Sequence, residues 1–81
     1  ALGKGLVTRA TSILIDYAFD ELKLKKVSIP VAVENQSSRA VCERLGLDNE
    51  GIQINAEYLY GSYVDHILYY TTPDRWKRGG I

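Results

Sequence analysis

The chain has one cysteine, one histidine, two prolines and no methionine, and its ten basic side chains are balanced by ten acidic ones. Each scarcity excludes something. One cysteine, Cys42, cannot close an intramolecular disulfide, and with no leader-like segment in view it is expected to be a reduced thiol of a cytoplasmic protein. One cysteine and one histidine far apart in sequence do not make a ligand set, so no metal is expected and His66 reads as structural. Zero net charge leaves no field to recruit nucleic acid or an anionic membrane. No apolar run approaches the roughly 20 residues that a bilayer crossing needs.

What is present is ordinary for a globular protein: 46% hydrophobic and 25% charged residues over 81 positions. That length makes one small domain, residues 1–81, which buries only about 60% of the surface its unfolded chain exposes. Its most pointed stretch is Leu2-Gly3-Lys4-Gly5-Leu6-Val7-Thr8-Arg9. Two glycines let a backbone turn tightly and approach a ligand, and the helix that follows aims its unpaired N–H groups and dipole at whatever sits in the turn. This suits a phosphate, with Lys4 adding a charge. It is no P-loop, because Gly5 follows Gly-Lys where Ser or Thr would hold magnesium. The plainer alternative is a turn that only shapes the entry to a surface helix. Phosphate-binding turns of this kind follow a strand, and here alanine opens the chain with no strand before it. The expectation is therefore the C-terminal part of something longer.

Along the chain, Leu6, Ala10, Ile13, Leu14, Tyr17, Ala18 and Leu22 recur at three- and four-residue steps and predict a helix over 6–22 with that face buried. Residues 27–33 are β-branched and predict a strand, with Pro30 confining it to an edge or to a place where pairing fails. Asn35 is a good N-cap for a helix that Gly46 ends as a left-handed C′ residue with Leu47 folding back. Residues 48–51 read as a loop, 52–60 as a half-buried strand, Gly61-Ser62 as a glycine-first hairpin turn, 63–72 as the returning strand and 72–81 as a loose tail carrying Trp76. Six tyrosines without a basic stripe suit core and hairpin packing rather than base stacking. Asp65 beside His66 is no triad fragment, since neighbours on a strand face opposite sides. The order helix-strand-helix-strand-strand gives a mixed α/β (α+β) fold with a small mixed sheet, a C-terminal β-hairpin and one open sheet edge.

Several ordered segments, Gly3-Lys4-Gly5-Leu6-Val7-Thr8, Ile15-Asp16-Tyr17-Ala18-Phe19, Val33-Glu34-Asn35-Gln36-Ser37-Ser38-Arg39-Ala40 and Glu43-Arg44-Leu45-Gly46-Leu47, resemble the GCN5-related N-acetyltransferases (GNAT). The nearest resemblance is to the branch that acetylates N-termini of ribosomal proteins, and Asp65-His66, Tyr69 and Trp76 resemble the end of that branch. The likeness covers nearly all of the chain. It implies the C-terminal half of a partial GNAT fold and a site for acetyl-CoA, used as a cosubstrate. Gly3, Lys4, Gly5 and Leu6 would hold the pyrophosphate with Thr8 near it, Asn35 would bond the pantetheine arm, and Ser38 would protonate the departing CoA thiolate. The acceptor it implies is an amine such as a protein N-terminal α-amino group. The resemblance further implies that the general base and the strand partnering 27–33 lie upstream, so the isolated chain is expected to be catalytically crippled. A different class of reading is a non-catalytic CoA-binding module, or one that forms a homo-oligomer through its open strand edge.

Overall fold

The computed structural model describes residues 2–78 and has six elements: α1 (Leu2–Asp20), β1 (Val27–Ala32), α2 (Gln36–Arg44), β2 (Asp48–Leu59), β3 (Ser62–Thr71) and α3 (Pro73–Arg78). The three strands form one sheet in the order β1-β3-β2. Both pairings are antiparallel, so the expected mixed sheet is, among the described residues, purely antiparallel. β1 pairs only on its β3 side, from Val27 opposite Thr71 to Ala32 opposite His66. Its other edge is open among the described residues, which is where Pro30, without an N–H to donate, costs nothing.

The core gathers Ile15 and Phe19 of α1, Val31, Cys42, Leu45, Leu47, Ile67 and Tyr69, with Trp76 packed against them. Full burial of each large apolar side chain contributes about 1.5–3 kcal/mol. The buried side of α1 corrects the periodicity argument. At 100° per residue, Ile15 and Phe19 lie almost opposite Leu6, Ile13 and Tyr17, and those three, with Leu14, are more than half exposed. The helix carries two apolar faces, and the one marked by Thr11, Ile15 and Phe19 meets the sheet and α2.

Helix α2 follows its signals. Asn35 Oδ1 accepts the Ser38 amide at 3.1 Å. At the other end Gly46 has φ +75°, its N–H donates to the Glu43 carbonyl, and Leu47 N–H donates to the Cys42 carbonyl. These are the paired bonds of a Schellman stop.

The hairpin differs from the expectation in three ways. Strand β2 begins at Asp48, so 48–51 is strand and not loop. Its apolar side chains Ile52, Ile54 and Tyr58 stay 61%, 75% and 62% exposed, so the strand is not half-buried. Tyr58 instead packs edge-on against Tyr63 across the hairpin, with ring centroids 5.0 Å apart. The turn is Tyr60-Gly61, with φ of +48° and +83°, since Leu59 pairs with Ser62. Positive φ at both central residues is the type I′ geometry whose twist matches the strands, and a tyrosine pays for it in backbone strain of about 1 kcal/mol. Tyr60→Asn is accordingly expected to stabilise the chain by about 0.5–1 kcal/mol in urea denaturation.

The tail is also more ordered than expected. Pro73 opens α3 at its first helical position. Trp76 Nε1 donates to Asp16 Oδ1 at 2.7 Å, tying α3 to α1. Arg75 forks onto Asp48, with Nη2 2.8 Å from Oδ1, and this bond holds the Asp48 carboxyl below its usual range. Gly79 and Gly80 lie outside the described residues.

Candidate functional site

Two of the residues expected from sequence, Asn35 and Ser38, line one open groove of about 900 Å³, while Gly5, Leu6 and Thr8 are not among its lining residues. Its walls come from α1 (Val7, Thr11), the free edge of β1 (Pro30, Ala32), the start and inner face of α2 (Asn35, Ser38, Cys42) and the hairpin (Glu57, His66). The lining is mostly apolar with a few convergent polar groups, the composition of a small-molecule site.

The first turn of α1 precedes the groove residue Val7. The turn expected at Gly3-Lys4-Gly5 is already helical, since α1 begins at Leu2. Glycine there is compatible with a helix start, and the change narrows the set of donors: Gly3 and Lys4 sit in the first turn, whose amides lack intrahelical acceptors, while Gly5 and Leu6 stand at the positions where the helical hydrogen-bond ladder begins to take up the N–H groups. A Cβ built on Gly5 meets nothing within 4 Å, so that backbone faces open space. The Lys4 side chain lies outside the described residues. Thr8 is partly buried in the following turn, between the groove residues Val7 and Thr11.

In the middle, Pro30 and Ala32 present β1's unpaired edge. Beyond them Asn35 and Ser38 come from one capping turn. Asn35 Oδ1 is committed to the cap, which leaves the Nδ2 hydrogens to serve a ligand. Ser38 uses its backbone N–H in the same bond and keeps its hydroxyl for other work.

Cys42 lies one turn further along α2 and is 3% exposed. Burial, with the neighbouring Glu43 charge adding to it, pushes its thiol pKa up. It therefore stays a protonated, unreactive wall residue. Ellman's reagent is expected to label Cys42 only at the rate at which the chain unfolds, so labelling of the native chain within seconds at pH 8 would contradict this packing. Tyr69, 2% exposed, donates to Glu43 Oε2 at 3.1 Å; burial first, then that carboxylate, raise its pKa. It is a core phenol outside the groove lining.

Sequence reasoning missed the hairpin's contribution. His66 lines the groove, and its Nε2 stands 3.1 Å from Glu57 Oε1. Glu57 looked like the polar side of an alternating strand; an irregularity of the β2 backbone, invisible in the residue pattern, shifts it along the strand to within reach of His66.

Comparison with known proteins gives the family. A family model described as the Acetyltransferase (GNAT) domain matches residues 1–48. “Putative ribosomal N-acetyltransferase YdaF” of Bacillus subtilis (strain 168) is 43% identical over 75 residues, 93% of this chain and 41% of that protein. Spermidine N(1)-acetyltransferase of Escherichia coli (strain K12) is 36% identical over 61 residues, covering 75% and 33%. Among solved structures, the ribosomal-protein-S5-alanine acetyltransferase from Vibrio fischeri superposes with a TM-score of 0.83 at 30% identity, over 89% of this chain and 39% of that one. The chain spans about two fifths of the length of the first of these relatives. Among the described residues no helix is long and apolar enough to cross a membrane.

Proposed function

We propose, from the premise that this chain belongs to the GNAT acetyltransferase family, that its groove binds acetyl-CoA and forms the cosubstrate side of an N-acetyltransferase whose acceptor is an amine. The acceptor favoured is a protein N-terminal α-amino group, that of a ribosomal protein included. The observation that carries the reading is the single groove that joins Val7 and Thr11 of α1, the unpaired edge of β1 at Pro30 and the capping turn of α2 with Asn35 and Ser38.

The residues present fit that molecule. The unpaired first-turn amides of Gly3 and Lys4, with the positive end of the α1 dipole, suit a diphosphate. The apolar lining at Val7 and Pro30 suits a pantetheine arm, for which Asn35 Nδ2 is a donor within the same wall. When bound, acetyl-CoA supplies an activated acyl group as a thioester. The chain's own residues handle protons: as the C–N bond forms and the C–S bond breaks, Ser38 Oγ–H protonates the departing sulfur and regains a proton from water. Glu57 takes the proton that the attacking nitrogen sheds and passes it to solvent, to which its side chain is 47% exposed. This gives the groove a proton acceptor that the sequence reading had placed upstream.

Calorimetric titration of the 81-residue chain with CoA, followed by an assay of acetyl transfer to a panel of N-terminal peptides and small amines, tests the proposal. Absence of binding at millimolar CoA removes it. The second reading, a non-catalytic module that self-associates, is favoured by the unpaired edge of β1. CoA binding without turnover, together with a dimer mass by light scattering, would select that reading.

A further inference from the structure

The Glu57 carboxylate owes its place to a defect in the sheet. Strand β2 pairs Gln53 with His66 and then Glu57 with Val64, so four steps on β2 match two on β3. In a regular ladder continued from Gln53, Glu57 would stand opposite Ser62, four residues from His66 and about 13 Å along the strand. The bulge brings it opposite Val64, only two residues from His66, within the diagonal reach of a long side chain. Asn55 sits inside the bulge at φ +52°, and its N–H donates to Asp65 Oδ1 at 2.9 Å instead of to a ladder carbonyl. His66 Nε2 then meets Glu57 Oε1 at 3.1 Å.

We propose that the dipeptide Asp65-His66 is a positioning device for Glu57: Asp65 pins the bulge that sets the register, and His66 holds the carboxylate toward the groove. Because neighbours on a strand point to opposite faces, two consecutive residues act on the bulge from both sides. Bulges beside active sites commonly re-aim a side chain in this way. The inference rests on the reading of Glu57 as the groove's proton acceptor, but its structural half stands independently.

The test uses Asp65→Ala, Asp65→Asn, His66→Ala and His66→Gln in the 81-residue chain, with three readouts: amide exchange at Asn55, side-chain relaxation of Glu57, and kcat and KM for acetyl transfer to an alanyl peptide. Asp65→Ala is expected to speed Asn55 exchange at least about tenfold while Asp65→Asn, which keeps the acceptor oxygen, restores protection. His66→Ala is expected to loosen the Glu57 side chain and lower kcat about 10- to 100-fold with KM for acetyl-CoA unchanged, and His66→Gln, still a donor, recovers most of both. An unaltered Glu57 in His66→Ala, or a glutamine variant as impaired as the alanine one, overturns the inference. A wild-type chain that neither binds CoA nor turns over sinks the functional reading instead, and the exchange and relaxation data still decide the positioning.

Discussion

Gly5→Asp is expected to raise the melting temperature and abolish CoA binding in the same variant. Helix α1 begins at Leu2, so position 5 closes its first turn, and a Cβ there meets no atom within 4 Å. Aspartate in place of glycine recovers a few tenths of a kcal/mol of helix propensity, and alanine up to about 1 kcal/mol. A carboxylate near the positive pole of the dipole adds about 0.3–1 kcal/mol. For a domain of this size the gain appears as a rise of several degrees by scanning calorimetry. Binding moves the other way. A negative charge placed some 5 Å from a diphosphate costs about 3 kcal/mol at an effective dielectric constant near 20, or roughly a hundredfold in affinity per charge pair. Gly5→Ala isolates the steric part: a stabilisation from helix propensity alone, with weaker binding only where ligand atoms need the space that the methyl fills. A CoA dissociation constant unchanged in the aspartate variant, alongside the higher melting temperature, would show that the head of α1 is only a helix start.

Opposite signs for stability and binding at one residue also explain why this part of the chain was hard to interpret from sequence. Gly3 and Gly5 signalled a turn because glycine weakens helices, and the structure places them in helix nonetheless. Function and propensity point to different conformations there, and residue statistics register only the second. The capping turn of α2 gave no such conflict: Asn35, Gly46 and Leu47 each have a local cause for their position, and each takes the expected one. The buried face of α1 was misjudged for a non-local reason. Its stronger apolar stripe, Leu6 to Tyr17, is the exposed one, and periodicity counts residues without knowing which neighbour stands on which side. The Glu57–His66 pair was invisible because the bulge rests on a left-handed Asn55 and a hydrogen bond to Asp65, ten residues away in sequence. The order of the elements up to β3 and the Asn35 cap are legible, since both depend on patterns a few residues long, whereas the place of Asn35 and Ser38 in a ligand site follows only from the family resemblance.

Ser38→Ala should lower kcat by about 10²–10⁴, the range for losing a positioned general acid, and leave the fold intact. The helix cap uses the Ser38 backbone N–H and Asn35 Oδ1, both of which survive the substitution, and alanine is the better helix former. Stability therefore stays within about 0.5 kcal/mol of the parent chain. Asn35→Ala provides the contrast, because it removes the cap and costs about 1 kcal/mol of stability whatever it does to catalysis. Since the hydroxyl acts on the breaking C–S bond and not on the ground-state complex, the loss belongs in kcat with KM for acetyl-CoA nearly unchanged. A rival donor exists four residues along the same helix: the buried Cys42 thiol, kept protonated by its surroundings, also lines the groove. Cys42→Ser tests it with little change in volume. A collapse of kcat in that variant, combined with a drop of less than about threefold in Ser38→Ala, would transfer the proton-donating role from the hydroxyl to the thiol.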